Sequence, residues 1–130
     1  MAADPRASAY LKTQVQSRTP IELVVMLYDG ALRFMGDARD AMTRGDLVAK
    51  RAAMSKSLAI VGELHSALNM KDGGEFAQRM SDLYGYINHR LIDANMKGDA
   101  APIEEAIRLM APLRDAWVQV ATAPQVTVAR

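Results

Sequence analysis

Thr19-Pro20-Ile21-Glu22-Leu23-Val24-Val25-Met26-Leu27-Tyr28-Asp29-Gly30 decides how this chain folds. It opens as a marked helix start. The Thr19 hydroxyl can accept from the Glu22 backbone N–H, and the Glu22 carboxylate can reach back to the Thr19 N–H, a capping box. Pro20 occupies the first helical position, where a missing N–H costs nothing. Six apolar or aromatic residues then follow without interruption, Leu23 to Tyr28. A helix that touches one core needs an apolar stripe, not a girdle. Part of this segment therefore belongs to the core, and the rest is surplus that another surface must cover.

Working outward, the same periodicity continues. Val24, Leu27, Tyr28, Ala31, Phe34, Met35, Ala38 and Met42 keep i, i+3, i+4 spacing, which predicts a helix from Pro20 to about Thr43. Gly45 stops it, and Asp46 caps the next. The second helix spans Leu47 to Asn69. It carries one stripe of Leu47, Met54, Leu58, Val61 and Leu68, and a displaced stripe of Ala53, Ser57, Ile60, Leu64 and Ala67. Together they cover about half the circumference, enough for two neighbours or for one neighbour and a partner. Lys71-Asp72-Gly73-Gly74 is a turn. The third helix runs from Glu75 to Lys97 on a core stripe of Phe76, Met80, Leu83, Tyr84, Ile87, Leu91 and Ala94, with Tyr86, Ile92 and Met96 off it. The fourth runs from Ala101 to Ala121 on Ile103, Ala106, Ile107, Met110, Leu113, Trp117 and Val120. Pro112 within it predicts a kink rather than a break, because the apolar register carries on to Trp117. Short connections between long helices give an all-α fold, an antiparallel up-down four-helix bundle. Residues 1–18 form an N-terminal arm or cap, 19–121 the bundle, and 122–130 a flexible tail. Tyr10, Leu11 and Val15 gather the arm's larger apolar side chains. A segment that short is marginal alone, so it docks on something or stays mobile.

Composition sets the class. The chain has 130 residues, half of them hydrophobic and 24% charged, with a formal net charge of +1. That is one soluble domain with a real core. It lacks the basic stripe that nucleic-acid binding needs. There is no cysteine, which removes disulfides and thiolate metal sites. No apolar run reaches membrane-span length, and residues 1–13 lack the apolar core of a signal peptide, so a cytoplasmic protein without membrane insertion is expected. Nine methionines either fill gaps between helices or give an adaptable binding surface.

Motifs for chemistry are missing. Phosphate-binding glycine loops, H-E-x-x-H and Glu-x-x-His pairs do not occur, so no enzyme activity, metal or cofactor is expected. His65 falls on the core side of its helix, and His89 on the outer side of the third. An exposed histidine on a four-helix bundle leaves phosphotransfer as a remote alternative. Asp29 interrupts an apolar stretch; it is either an exposed position or a polar contact for the arm or a partner. Gly30 and Gly85 sit inside helices, where glycine costs about 1 kcal/mol against alanine. Each either admits close approach of another backbone or is a tolerated surface residue.

Taken together, Tyr10, Thr19-Pro20-Ile21-Glu22-Leu23, the run Leu27-Tyr28-Asp29-Gly30-Ala31-Leu32-Arg33-Phe34, Gly73-Gly74-Glu75, Leu83-Tyr84-Gly85-Tyr86, Asn95, Asp99 and Leu113-Arg114-Asp115-Ala116-Trp117 resemble the flagellin-specific secretion chaperones of bacterial flagella. The resemblance implies an antiparallel bundle with an N-terminal cap. It also implies that the chain binds the C-terminal segment of flagellin, prevents its premature polymerisation and presents it to the export apparatus, with an export-gate component as a further partner. The physical reading is compatible: surplus apolar surface suits an amphipathic helix laid in a groove. The candidate partner-binding residues are Tyr10, Leu11 and Val15 in the arm; Leu23, Val25, Met26, Tyr28, Asp29 and Gly30 in the first helix; and Ile60 and Leu64 in the second. A structural bundle that associates with itself through the same surplus is the alternative.

Overall fold

The computed structural model describes residues 18–123, and these form four helices: α1 (Pro20–Arg44), α2 (Leu47–Ser66), α3 (Gly74–Lys97) and α4 (Ala101–Thr122). The arm residues Tyr10, Leu11 and Val15, and the tail from 124 onward, lie outside the described residues. Each helix packs on the two that adjoin it around a square: α1 on α2 and α4, α3 on α2 and α4. The expected up-down bundle is what forms.

Local chemistry sets the boundaries. At the start of α1 the capping box is made in full: Glu22 N donates to Thr19 Oγ1 at 3.2 Å, and Thr19 N donates to Glu22 Oε1 at 3.0 Å. Those bonds to the ionised form hold the Glu22 carboxyl below its ordinary range. α1 ends at Gly45, whose φ of 74° is left-handed and whose N–H reaches back to Ala41 and Met42 carbonyls. Asp46 then caps α2 by accepting from Ala49 N at 3.1 Å. The second helix stops three residues earlier than its periodicity suggests. Asn69 competes for the backbone there: its side-chain oxygen accepts from Asp72 N at 3.0 Å and its carbonyl from Gly73 N at 2.8 Å. Gly73 is pressed so closely on the Asn69 carbonyl oxygen and Ala77 that a Cβ would lie 2.5 Å from each. α4 runs through Pro112 without a break. Pro112 and Arg108, four residues before it, are both exposed, so water can serve the carbonyl that the proline leaves unpaired.

The core is built from aromatic and methionine side chains against small ones. Tyr28, Met35, Ile87, Leu91, Ile103 and Met110 are fully or almost fully buried. Ala31, Ala38 and Ala41 face inward along α1 with no exposed area, which lets α2 and α4 approach its backbone. The methionines divide: Met35, Met54, Met80 and Met110 fill the core, while Met26, Met70 and Met96 are exposed. Three large stripe residues are not core: Leu47 is 57%, Phe76 56% and Val120 52% exposed. Leu47 and Phe76 lie in the first turn of their helices and Val120 in the last turn of α4, at ends of the bundle where the neighbouring helices stop.

One polar contact crosses the core diagonally. Tyr28 on α1 and Tyr84 on α3 share a hydrogen bond between their hydroxyls at 2.7 Å, with ring centroids 6.4 Å apart. α1 and α3 are not adjacent around the square, so this bond ties opposite corners. Both phenols are buried, and burial raises each above the ordinary tyrosine range. The hydrogen bond to Tyr84 partly offsets the rise at Tyr28. His65 stands beside the pair, 6.1 Å from the Tyr84 ring, with Nε2 2.8 Å from Ser81 Oγ.

Tyr28→Phe and Tyr84→Phe each leave a buried hydroxyl with one partner fewer, so each should cost about 1–3 kcal/mol in urea unfolding. The double variant should cost clearly less than the sum, because it leaves no orphan; an additive result would show that the bond contributes nothing. The raised phenol pKa values carry a pH signature. Their contribution is complete below the unfolded tyrosine value of about 10 and is lost as pH rises beyond it. The wild-type unfolding midpoint should therefore fall as pH rises from about 10 to about 12, and the double phenylalanine variant should show a shallower fall.

Candidate binding cleft

One end of the bundle collects the starts of α1 and α3 and the ends of α2 and α4. Helices lose neighbours at an end, and here the side chains left over are apolar. Phe76 and Met80 from α3 and Leu113, Ala116, Trp117 and Val120 from α4 line a cavity of about 240 Å³. A second cavity of about 220 Å³ adjoins it, reached by Val24 on α1, Leu64, Ala67 and Leu68 on α2, and Ala77 and Tyr84 on α3. Phe76 and Trp117 belong to both. Their rings meet edge to face, 6.2 Å between centroids at 74°, and form the partition. A third opening of about 390 Å³ follows the α1/α4 line and is bordered by Arg18, Glu22, Val25, Met26, Asp29, Val118, Ala121 and Thr122. The three depressions form a belt around this end, and residue 18, where the arm joins the bundle, is on its rim.

The belt receives some of the residues singled out in the sequence and not others. Val25 is half-buried and Met26 is 42% exposed, and both line the α1/α4 opening. Leu23 is half-buried beside them in sequence. Tyr28 and Leu64 are core residues, at 0% and 3% exposure; the diagonal hydrogen bond holds Tyr28 inside, and Leu64 reaches the second cavity from within the core. Gly30 faces inward too. A Cβ there would sit 3.0 Å from Ile60 Cδ1, so the missing side chain makes room for Ile60 within the α1/α2 contact. Ile60 is half-buried by the same packing. Asp29 is exposed but engaged: Arg114 Nε donates to its Oδ1 at 2.7 Å, joining α4 to α1. That pair raises the Arg114 pKa through the Asp29 hydrogen bond, and as a surface bridge it fixes position more than it adds stability. Gly85 is exposed, and a Cβ added there would meet nothing within 4 Å among the described residues.

Phe76, Leu113, Trp117 and Val120 were readable only as core positions, because they fall on the inward stripes. Their place in the first turn of α3 and the last three turns of α4 was the available signal. A stripe that runs to the tip of a helix outlasts the core that it faces.

The two cavities that share Phe76 and Trp117 have an apolar lining, while Arg18, Glu22 and Asp29 make the α1/α4 opening polar. Among the described residues no group of three or more His, Asp or Glu side chains is placed to hold a metal ion. His89 is exposed, its Nε2 3.8 Å from Asp93 Oδ2. No helix of the described residues is long and apolar enough to cross a membrane.

Comparison with known proteins identifies the family. The family model described as Flagellar protein FliS matches residues 2–124. The flagellar secretion chaperone FliS of Salmonella typhimurium is 38% identical over 115 residues, covering 88% of this chain and 85% of its own. That of Bacillus subtilis is 34% identical over 119 residues, covering 92% and 88%. That of Vibrio cholerae is 31% identical over 116 residues, covering 86% and 85%. The chain belongs to the FliS family of flagellar secretion chaperones.

Proposed function

We propose that this chain is a cytoplasmic export chaperone whose client is the C-terminal segment of flagellin. Covering that segment prevents premature polymerisation, and the complex is the form handed to the export apparatus, with an export-gate component as receiver. The chain acts by binding and not by catalysis. The observation that carries this reading is the pair of cavities that share the Phe76–Trp117 wall, on a chain of this family. An amphipathic helix places apolar anchors at i, i+3, i+4 and i+7, and a row of shallow apolar cavities separated by ring edges suits such anchors. Met26 and Met80 let the walls adjust to an imperfect fit.

The arm has a role in the same proposal. It joins the bundle at the rim of the belt, and Tyr10, Leu11 and Val15 give it apolar side chains to place there. It then acts as a removable cover that the client displaces, while the capping box at Thr19 marks where the cover ends and the rigid bundle begins.

Calorimetry with the last roughly 40 residues of the cognate flagellin, enough for a helix to span the bundle, tests the main reading. Saturable binding supports it, and absence of binding sinks it. Phe76→Ala should weaken that binding about tenfold or more, since exposed aromatic anchors dominate such interfaces. Its effect on the unfolding midpoint should be small, because more than half of Phe76 is already exposed. Deleting residues 1–17 should speed association with the peptide in stopped-flow measurements; unchanged rates would remove the arm from the site.

A further inference from the structure

The opposite end of the bundle carries apolar surface that neither the core nor the cleft uses. α2 begins there and α3 ends there. Lys50 Nζ donates to the Asn95 carbonyl at 3.4 Å, which sets the two helix ends side by side. Around this contact Leu47 is 57% exposed, Val48 78%, Ile92 45% and Met96 79%. At 100° per residue Arg51 shares the outer face of α2 with Leu47 and Val48, while Ile92 and Met96 share the outer face of α3. Large apolar side chains scattered singly need no explanation, but a group of this kind at two adjoining helix ends marks an interaction surface.

The carboxylates of these two helix ends, Asp46, Asp93 and Asp99, are engaged within the chain. Asp46 caps α2 and lies 3.7 Å from Arg44. Asp93 lies 3.5 Å from Arg90 and 3.8 Å from His89. Asp99 accepts from Ala101 N at 3.0 Å. Arg51 and Lys97 are exposed and form no ion pair among the described residues. An apolar patch rimmed by two uncommitted cations complements an amphipathic helix with acidic flanks.

We propose that the start of α2 and the end of α3 form a second docking surface, which takes an acidic amphipathic helix from a protein other than the client. Leu47, Val48, Ile92 and Met96 receive its apolar face, and Arg51 and Lys97 its carboxylates. Along α3 this surface lies about 24–30 Å from Phe76, at the other end of the bundle from the cleft.

The test is methyl NMR on the full chain with two synthetic helical peptides. Both carry leucine at i, i+3, i+4 and i+7; one is flanked by glutamate and the other by lysine. The glutamate peptide should shift the Ile92 and Met96 methyls saturably, and the lysine peptide should not. Val48→Glu/Met96→Glu should weaken the glutamate peptide about tenfold or more. Arg51→Glu/Lys97→Glu should invert the choice of peptide. Both variants change exposed side chains only and should keep the wild-type unfolding midpoint. Equal response to the two peptides, shifts centred on Phe76 and Trp117, or displacement by the flagellin segment would each overturn the proposal. So would self-association of the chain that Val48→Glu/Met96→Glu abolishes. The titration without flagellin reads this surface by itself, so its outcome is separable from that of the client experiment.

Discussion

The bond between the Tyr28 and Tyr84 hydroxyls holds the arrangement on which everything else depends. In a square bundle the neighbouring helices are fixed by ridges of side chains, and these allow some sliding. A diagonal bond between α1 and α3 removes that freedom at one level, because both hydroxyls are buried and each depends on the other for satisfaction. It lies next to the cleft: Tyr84 lines one cavity, and Trp117 lines both. The floor of the cleft is thereby held in register while its rim is left adaptable.

A contrast between the seams of the bundle follows. α1 meets α2 and α4 through buried alanines and methionines, with Asp29–Arg114 as its one polar clamp to α4. α3 is held by polar contacts on both sides. Toward α2 it offers Asn95 to Lys50 and Ser81 to His65; toward α4, Tyr86 and Arg90 bind the two oxygens of Glu105 at 2.8 and 2.7 Å. The Asn88 side-chain oxygen is buried with no partner among the described residues. Polar seams specify a register but hold less strongly than apolar ones, so α3 is the least tightly bound wall of the bundle.

The helices were legible in the sequence because each signal was local. Thr19, Gly45, Asp46 and Gly98 announce ends, and the i, i+3, i+4 pattern announces faces. The end of α2 was not, because Asn69 ends it with a side-chain bond that resembles any other polar residue in the sequence. The site was only partly legible. Val25 and Met26 stood out as surplus, while Tyr28 and Leu64 fall on the inward stripes and are buried. Gly30 and Asp29 each left two readings open; Ile60 packs against the one and Arg114 bonds the other. Phe76 and Val120 show the converse. Helical phase tells which way a side chain points, and says nothing of how far the neighbouring helix extends.

Trp117 is the only tryptophan in the chain, and it stands half-buried in the wall common to both cavities. Indole emission shifts with the polarity around the ring and is quenched by groups that touch its edge. The molecule therefore carries its own optical indicator at the point of contact, with no second indole to dilute the signal. Filling or emptying of the cleft becomes visible in the unlabelled protein, in real time and in mixtures where a tag or dye would itself compete for an apolar cavity.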